Sequence, residues 1–432
     1  MNDPYTPRRE AQAVREVGHT AVKRSVAISL SLVFLVTIGW LPLFDWKSPV
    51  EGEESSLFFT FFSRLSVDLG SVTEQGLLAT NHRLKEDMDW LENTLEDSSL
   101  LRRRFVPYVQ WRLAMALGLG NEQVHIGRDG SLFYRADVDH VVGRGFLNPA
   151  VLRARSQAGD LWTAPPQPDP LVALEQFVAE MEERGIRTII MPTPVKPTVD
   201  PEPLIAGEST LAVPAQNVSF AEFVAHLEAV GVEVFDPAPL LVQAKLETSR
   251  RQYLRTDTHW TPQALDLVAA ELARRIDQSA VLSATRFQYR RQAVVIEGFG
   301  DIAEMLVLPQ TQDRIPAERI ESQMVLTPEG TTWRPDRTAE VLLLGDSFSN
   351  VYSDASLGWG SSAGLAEQLS FFLGRRIDKI AVNAGGARAA REALGRALAE
   401  DPDRLANTSV VVYQFATREL SQGDWRMEAP AR

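Results

Sequence analysis

The sequence has no cysteine and little histidine, with six histidines in 432 residues. The absence of cysteine excludes disulfide bonds, thiolate metal sites and a cysteine nucleophile. Basic residues are the minority of the charges, because 44 Lys and Arg face 57 Asp and Glu and leave a net charge of −13. This balance disfavours sequence-independent binding to nucleic acid, which depends on the neutralisation of phosphates. We therefore expect no nucleic-acid partner.

The common cofactor motifs are missing as well. No G-x-G-x-x-G follows a predicted strand, and the chain has neither a P-loop nor an H-E-x-x-H motif. We therefore expect an activity that requires no nucleotide, no metal and no other cofactor. Apolar residues make up 44% of the chain, a share that favours a packed core over global disorder.

One long apolar run lies near the N-terminus, where Ser25–Phe44 contains no charged residue. At about 1.5 Å per residue, a helix of this length spans the roughly 30 Å of bilayer hydrocarbon. A buried core helix and a cleaved signal peptide are the alternatives, but the run has no polar face and no small-residue cleavage site. Basic residues outnumber acidic ones before the run. The positive-inside rule therefore predicts a cytoplasmic N-terminus, with the rest of the chain outside.

These features divide the chain into four predicted parts. Residues 1–24 are expected to form a cytoplasmic tail and residues 25–44 a transmembrane anchor. Residues 45–120 mix apolar and charged side chains at helical spacing, which predicts a juxtamembrane helical region. Residues 121–432 are expected to form the domain that carries the chemistry.

This last part alternates short apolar runs with amphipathic segments, a pattern typical of α/β folds. The predicted strands are Arg187–Met191, Val232–Phe235, Val341–Leu344, Lys379–Val382 and Ser409–Tyr413. The predicted helices include Pro170–Arg184, Phe220–Val230, Pro262–Asp277, Ser362–Leu373 and Ala387–Glu400. Because the strands are almost continuously apolar, we expect a mostly parallel sheet with helices on both faces.

The predicted strand Val341–Leu344 runs directly into Gly345, Asp346 and Ser347. A serine at the carboxyl end of such a strand lies where open α/β sheets place their sites. Backbone N–H groups at the start of the next element can face an oxyanion there. A polar turn after a strand is the alternative interpretation of the same residues. For Asp346 we expect a structural hydrogen bond within the turn. A carboxylate adjacent to Ser347 cannot easily orient a histidine that approaches from across the site.

A serine hydroxyl needs a base to become a good nucleophile, and His259 is the histidine with a suitably spaced acid. Asp257 precedes it by two residues, so its carboxylate can accept a hydrogen bond from the imidazole and orient it. Both lie just before a helix that Thr261 can cap and Pro262 can begin. A metal-ligand pair and simple capping polarity are the alternatives. Together with Ser347, the pattern predicts a serine–histidine–aspartate triad.

Six stretches of the sequence resemble a known family, the alginate O-acetyltransferases of the AlgJ and AlgX type, which have an SGNH hydrolase-like domain. The stretches are HIGRDGSLFY (125–134), PTPVKPTVDPEPL (192–204), DTHWTPQA (257–264), GDSFSNVYSDASLGWGSSAGLAEQLS (345–370), NAGGARAAREAL (383–394) and QFATREL (414–420). They cover about residues 120–420. The order of DTHW before GDSFS is that of the acetyltransferases, whereas ordinary SGNH hydrolases place the serine first.

The resemblance implies a role for each matching residue. Ser347 would be the nucleophile, His259 the general base and acid, and Asp257 the carboxylate that orients it. The loop with Asn383, Gly385 and Gly386 would complete an oxyanion hole. Two further residues, Tyr413 and Arg418, fall in family-like stretches and are candidates for substrate binding, with ring packing and surface charge as the more ordinary interpretations. Lys196 also falls in such a stretch, where a structural ion pair is the more ordinary interpretation.

The resemblance also implies an SGNH-like enzyme that transfers acetyl groups onto an exported polysaccharide, alginate or another one. A membrane-bound O-acyltransferase would supply the acetyl group, and the catalytic domain would lie in the periplasm on an inner-membrane anchor. The predicted anchor makes the chain more similar to the AlgJ type than to AlgX. A polysaccharide esterase and a non-catalytic polysaccharide-binding subunit remain alternatives. Arg286, Arg290 and Arg291 could form a groove for an acidic polymer.

Overall fold

The computed structural model of the chain describes residues 120–158, 164–205, 210–280, 282–306 and 315–427, with a few isolated helical positions before residue 110. Most of the predicted anchor Ser25–Phe44, and most of the predicted juxtamembrane region, lie outside the described residues. Among the helices that are described, none is both long enough and apolar enough to cross a bilayer. The chain divides into two compact units, Met1–Pro107 and Tyr108–Arg432. Everything below concerns the second unit.

The second unit alternates strands and helices, as predicted. Its strands are β1 (Val124–Ile126), β2 (Leu132–Tyr134), β3 (Arg187–Thr193), β4 (Glu233–Val234), β5 (Arg290–Gly298), β6 (Glu318–Leu326), β7 (Val341–Gly345), β8 (Asp378–Ala381) and β9 (Val410–Ala416). Its helices are α1 (Arg135–Val142), α2 (Pro149–Ser156), α3 (Pro170–Glu183), α4 (Lys196–Val199), α5 (Phe220–Ala229), α6 (Ala238–Thr248), α7 (Pro262–Ser279), α8 (Asp301–Met305), α9 (Ser347–Asn350), α10 (Leu365–Leu373), α11 (Gly386–Glu400) and α12 (Glu419–Gln422).

Five strands form a parallel sheet in the order β4-β3-β9-β7-β8. Each of them corresponds to a strand predicted from the sequence. The prediction succeeds because parallel strands are buried on both faces and therefore have continuous apolar sequences. Successive residues point to opposite faces: Leu343 packs in one core cluster and Leu342 in the other. The carboxyl ends of all five strands meet at one edge of the sheet.

Helices cover both faces of this sheet. Helices α6, α7 and α10 pack in the core cluster that contains Leu343. Helices α3, α5 and α11 pack in the cluster that contains Leu342. The start of α7 confirms the predicted cap, because Thr261 Oγ1 accepts a hydrogen bond from Ala264 N at 3.2 Å and Pro262 is the first helical residue.

Two antiparallel hairpins were not predicted. Strands β1 and β2 form a short one, and β5 and β6 form a ribbon of nine residues per strand between α7 and β7. The ribbon lacks a clear sequence signal because most of its side chains are partly or fully exposed and charges occur along both strands. Its connection matters for the site, since it carries α8. Helix α10 also begins later than predicted, because Ser362 has a left-handed φ of 58°.

Candidate active site

The carboxyl edge of the sheet brings Ser347, His259 and Asp257 together. Ser347 follows β7 as the first residue of α9, and the other two residues lie on the loop between α6 and α7. His259 Nε2 lies 2.8 Å from Ser347 Oγ, and His259 Nδ1 lies 2.6 Å from Asp257 Oδ1. Each ring nitrogen therefore has a close partner, and Thr258 Oγ1 also lies 3.2 Å from Nδ1. Proton transfer from the hydroxyl to the imidazole is possible without any movement of these groups.

The turn that presents Ser347 is fixed by its two preceding residues. A Cβ on Gly345 would lie 2.3 Å from Ser349 Oγ, so only glycine fits at this position. The Asp346 carboxylate accepts from Phe348 N at 2.9 Å and from Ala416 N at 2.8 Å. It thus connects the start of α9 to the end of β9. The predicted structural role of Asp346 is confirmed, and Ser347 itself remains partly exposed.

The Asp257 carboxylate is buried but well supplied with hydrogen-bond donors. Oδ1 accepts from His259 N at 2.9 Å, while Oδ2 accepts from Trp359 Nε1 at 2.8 Å and from Asp301 N at 3.1 Å. Burial alone would raise the pKa of Asp257, but the charge of His259 and these hydrogen bonds lower it to about 2. The group is therefore an anion at neutral pH.

The His259 imidazole is almost completely buried, beside the ring of Phe348 at 4.8 Å between centroids. Burial lowers the pKa of His259, but Asp257 and, more weakly, Asp301 outweigh it and raise the pKa above its usual 6.5. The imidazolium that forms when the ring takes a proton is therefore stabilised. This is the property required of a general base that later acts as a general acid.

Asp301, the first residue of α8, is a second carboxylate in the site that sequence reasoning missed. Its Oδ2 accepts from Thr258 Oγ1 at 2.6 Å and lies 3.9 Å from His259 Nδ1. Burial and the charge of Asp257 raise the pKa of Asp301 to about 6. No spacing in the sequence indicates this residue, because it follows Asp257 by 44 positions and arrives through the ribbon connection. Trp359 was missed as well, because it follows Asp257 by 102 positions.

A buried lysine supports the backbone of the same loop. Lys196 Nζ donates to the carbonyl oxygens of Leu132 at 2.6 Å, Arg255 at 2.8 Å and Asp257 at 3.2 Å. Burial lowers the pKa of Lys196 to about 8, although Asp257 opposes that shift. Among the residues that the structure describes, Lys196 forms no ion pair, in contrast to the interpretation that its sequence context suggested. Its hydrogen bonds instead connect three backbone segments beside the triad.

The spacing of Asp257, His259 and Asp301 also bears on metal binding. Their potential ligand atoms all lie within 4.8 Å of one another, as in no other group of three His, Asp or Glu in the described part of the chain. However, two ligands of a tetrahedral zinc ion are about 3.3 Å apart, whereas His259 Nδ1 and Asp257 Oδ1 are 2.6 Å apart. That distance fits a shared proton and leaves no room for an ion between the two atoms.

Arg418, a predicted substrate-binding residue, lies close to the triad. Its Nη1 donates to Asp137 Oδ1 at 3.0 Å, and its guanidinium lies 5.8 Å from the centre of the Phe348 ring. The charge of Arg418 reaches His259, where it opposes the rise in pKa. The side chain is partly exposed. Arg418 thus places a positive charge beside the triad.

The predicted oxyanion residues lie between the end of β8 and the first residue of α11. Asn383 Nδ2 donates to Asp354 Oδ2 at 2.9 Å, and Asn383 Oδ1 accepts from Asn350 Nδ2 at 2.9 Å, which ties the loop to α9. Gly385 is the exposed N-cap of α11. Gly386 has a φ of 66°, and a Cβ there would lie 2.5 Å from Glu419 Oε2. The positive φ and the lack of room for a Cβ therefore explain why position 386 is a glycine.

For Tyr413 the structure supports ring packing and corrects the prediction of substrate binding. Tyr413 is fully buried, packs against Phe177 and Phe415, and donates its hydroxyl to the carbonyl of Ala387. It therefore belongs to the core and is not accessible to a substrate. The groove suggested for Arg286, Arg290 and Arg291 stays a prediction, and ion pairs with aspartates partly neutralise two of these three residues. These pairs are Arg286 with Asp277 at 3.0 Å and Arg291 with Asp266 at 2.7 Å.

The chain is similar to several known proteins. Residues 124–417 match the family described as SGNH hydrolase-like domain, acetyltransferase AlgX. A probable alginate O-acetylase AlgJ of Pseudomonas fluorescens is 27% identical over 236 residues, or 53% of this chain and 54% of the relative. The AlgJ of Pseudomonas aeruginosa is 31% identical over 103 residues, or 24% and 25%. The matches thus span about half the length of these curated relatives or less.

Among solved structures, the O-acetyltransferase domain of Pseudomonas putida AlgJ has a TM-score of 0.51 and 19% sequence identity, over 72% of this chain and 95% of that chain. At this identity the likeness shows a shared fold. AlgX of Pseudomonas aeruginosa has a TM-score of 0.46 and 16% identity, over 70% of this chain and 64% of that chain.

Proposed function

The chain belongs to the AlgX acetyltransferase family with its SGNH hydrolase-like domain, and on this premise we propose that it transfers acetyl groups onto a polysaccharide. The observation that carries the proposal is the continuous hydrogen-bonded series from Asp257 through His259 to Ser347, with distances of 2.6 and 2.8 Å. A protein that only binds polysaccharide has no use for a polarised serine. An acyl-transfer enzyme requires one.

In the first half-reaction, His259 Nε2 takes the proton of Ser347 Oγ as that oxygen attacks the carbonyl carbon of an acetyl ester. The tetrahedral intermediate collapses, the ester bond to the donor breaks, and the imidazolium gives its proton to the departing oxygen. The acetyl group is then esterified to Ser347. Asp257 keeps the imidazole in the required tautomer throughout, because its carboxylate accepts the Nδ1 proton.

In the second half-reaction, a sugar hydroxyl takes the place of the departed donor. His259 removes its proton, the sugar oxygen attacks the acetyl carbon, and Ser347 Oγ leaves with the proton that the imidazolium returns. The products are an acetylated sugar and the free serine. Water can attack in place of the sugar hydroxyl, so the same site supports an esterase when no acceptor is bound.

Negative charge on the tetrahedral intermediate needs donors that are fixed in advance. We assign this role to the backbone N–H of Ser347, at the start of α9, and to the loop of Asn383, Gly385 and Gly386. Arg418 supplies a positive charge on the same side of the site as Phe348. A guanidinium there can donate hydrogen bonds to oxygen atoms of the acetyl donor or of the polysaccharide acceptor.

The setting of the reaction is part of the same proposal. Residues 25–44 would anchor the chain in the inner membrane, with the catalytic domain in the periplasm. A membrane-bound O-acyltransferase would then supply acetyl groups, and an exported polysaccharide would accept them. The relatives named alginate O-acetylases favour an alginate-like acceptor.

The test is to incubate the full chain with an acetyl ester donor and with oligosaccharide acceptors, and to follow products by mass spectrometry. Acetylated sugar should form with the native chain and disappear with Ser347→Ala. A matched control is Ser421→Ala, because Ser421 Oγ also lies 2.6 Å from a histidine nitrogen, that of His140, but outside the triad. This variant should retain activity.

Other outcomes favour the alternatives. Release of acetate alone, at any acceptor concentration, would identify an esterase. If the native chain and Ser347→Ala are both inert yet bind the oligosaccharide equally, the chain is a binding subunit. If Ser421→Ala is the inactive variant, the serine assignment is wrong.

A further inference from the structure

The short helix α8 lies directly against the loop that carries the catalytic aspartate. Asp301 N donates to Asp257 Oδ2 at 3.1 Å. Two residues further on, Ala303 N donates to the carbonyl oxygen of Thr256 at 3.2 Å. This approach requires Gly300, because a Cβ there would lie 2.1 Å from that same oxygen. The connection between β5 and β6 is thereby held against the catalytic loop.

Thr258, which lies between Asp257 and His259 in the sequence, joins α8 to the imidazole. Its backbone N–H donates to Asp301 Oδ1 at 2.8 Å, and its hydroxyl donates to Asp301 Oδ2 at 2.6 Å. The same hydroxyl oxygen lies 3.2 Å from His259 Nδ1. Thr258 is buried, and these two groups are the only hydrogen-bond partners of its hydroxyl among the described residues.

The direction of these hydrogen bonds follows from the chemistry of the groups. A hydroxyl has one proton to donate, and an ionised carboxylate can only accept. The pKa of Asp301 is about 6, so its carboxylate is ionised above that pH. The Thr258 hydroxyl therefore gives its proton to Asp301, and toward His259 Nδ1 it can only accept. A hydroxyl in this orientation favours the imidazole tautomer that carries its proton on Nδ1.

Asp257 acts on the imidazole in the same direction. Its Oδ1 lies 2.6 Å from His259 Nδ1, so this nitrogen faces two acceptors, one at a short and one at a longer distance. A proton on Nδ1 leaves Nε2 unprotonated, and Nε2 lies 2.8 Å from Ser347 Oγ. When the ring takes the serine proton, its positive charge strengthens both contacts. The Thr258 hydroxyl therefore favours the same proton transfer as Asp257.

We propose that Thr258 is a positioning residue, whose hydroxyl is oriented by Asp301 and holds His259 in the tautomer that can take the proton of Ser347. The proposal rests on the proposed function, because this tautomer matters only if His259 is the base for Ser347. The triad then has a second branch, which runs from His259 through Thr258 to Asp301. Its two bonds are a longer one to the imidazole and a short one to the carboxylate.

Other charged groups also act on His259, so the test must separate the hydroxyl from them. Arg418 approaches from the start of α12, and Asp137, its partner in an ion pair, approaches from α1. Asp301 lies 3.9 Å from His259 Nδ1 and also acts on the imidazole directly. Thr258→Val removes the hydroxyl but keeps a β-branched side chain. It leaves all of these charged residues in place.

The first measurement is hydrolysis of an acetyl ester by the full chain between about pH 5 and 9. Thr258→Val should lower kcat about tenfold with little change in KM, the effect of losing one hydrogen bond with a charged group. The acid limb of kcat/KM should move to lower pH, because the imidazolium loses an acceptor. Thr258→Ser keeps the hydroxyl and should rescue both properties.

The second measurement needs no substrate. NMR of the full chain labelled with ¹⁵N in histidine follows the protonation of His259, whose signals are identified by their loss in His259→Gln. Thr258→Val should lower the pKa of His259, and Thr258→Ser should restore it. The proposal is overturned if Thr258→Val leaves either kcat or the pKa of His259 at its native value, or if Thr258→Ser fails to rescue them.

Thr338→Val is the matched control. Thr338 donates its hydroxyl to Asp336 Oδ1 at 2.6 Å and its backbone N–H to the same oxygen at 2.8 Å, so it bonds to an aspartate as Thr258 does. The pair precedes β7 and therefore lies at the opposite edge of the sheet from the triad. Thr338→Val should leave kcat and the pKa of His259 unchanged. Equal effects of the two threonine variants would overturn the proposal.

A double-mutant cycle tests whether Asp301 acts through Thr258. Asp301→Asn removes the group that orients the hydroxyl, so the addition of Thr258→Val to it should cause little further loss of kcat. If the direct charge at 3.9 Å is the whole effect of Asp301, the two losses multiply instead. Multiplied losses would show that the two residues act independently and would overturn the second branch.

Failure of the second branch and failure of the proposed function give different results. If the native chain transfers acetyl groups and Thr258→Val matches it in kcat and in the pKa of His259, the second branch alone is wrong. If Thr258→Val lowers the pKa of His259 but the native chain transfers no acetyl groups, the contact with the imidazole stands and the catalytic proposal fails.

Discussion

Trp359 donates its indole N–H to Asp257 Oδ2 at 2.8 Å, across 102 residues of sequence. The bond engages the carboxylate oxygen that does not face His259. With Asp301 N on the same oxygen and His259 on the other, the carboxylate is held in one orientation. Trp359 is fully buried, so this donor comes from within the protein core.

The first prediction concerns this indole. Trp359→Phe keeps most of the ring volume but leaves Asp257 Oδ2 with one donor fewer, which loosens the orientation of the carboxylate. We expect kcat for hydrolysis of an acetyl ester to fall about tenfold with little change in KM, the effect of losing one supporting hydrogen bond. Trp333→Phe is the control, because its buried Nε1 donates to Ser370 Oγ at 2.8 Å, away from the triad. Equal losses in both variants would argue for a general packing effect.

The second prediction concerns the carboxylate itself. Asp257→Asn is nearly isosteric but favours the wrong imidazole tautomer, and it removes the anion that stabilises imidazolium. Losses of about 10⁴ in kcat accompany this change in serine-protease triads, and we expect a loss of at least about 10³ here. Asp277→Asn, in an exposed ion pair with Arg286, is the control. Activity within tenfold of native in Asp257→Asn would exclude the proposed triad.

The third prediction concerns pH. His259 must be neutral to act as a base, and its raised pKa means that activity falls as the pH drops through that value. Asp301 has a pKa raised to about 6, so its carboxylate is charged above that pH. This charge contributes to the raised pKa of His259. Asp301→Asn removes that charge, lowers the pKa of His259 and should move the acid limb of kcat/KM to lower pH.

The measurement is a profile of kcat/KM for ester hydrolysis between about pH 5 and 9. Glu304→Gln removes an exposed carboxylate from the same short helix and should leave the acid limb in place. A limb that stays fixed or moves upward in Asp301→Asn would show that Asp301 does not act electrostatically on His259.

The fourth prediction concerns stability. Lys196→Met fills a similar volume but leaves the carbonyls of Leu132, Arg255 and Asp257 without their buried donor. We expect the free energy of unfolding in urea to fall by about 3 kcal/mol, because unpaired buried acceptors retain their full desolvation cost. Lys379→Met, which breaks a less buried contact with Asn350, should cost about 1 kcal/mol. Similar losses in the two variants would contradict the supporting role of Lys196.

Much of the fold could be predicted because its signals are local. Val341–Gly345 and Val410–Ala416 are buried on both faces, so their sequences are almost entirely apolar and indicate a parallel sheet. The cap of α7 could also be predicted, because Thr261 and Pro262 act within one helical turn. The ribbon of β5 and β6 could not be predicted, because its exposed and charged strands lack a continuous apolar sequence.

The residues of the site likewise include some that local sequence predicts and others that it does not. The sequence by itself paired Asp257 with His259 through their spacing, and it placed Ser347 after a buried strand, because both are properties of adjacent residues. Only the tertiary structure decided which groups surround them. Asp301, Trp359 and Lys196 reach Asp257 from three separate segments of the chain. Tyr413 is buried because helices cover both faces of the sheet, so neither side of its strand reaches solvent. Contacts between distant segments depend on how helices and strands pack, which no local spacing records.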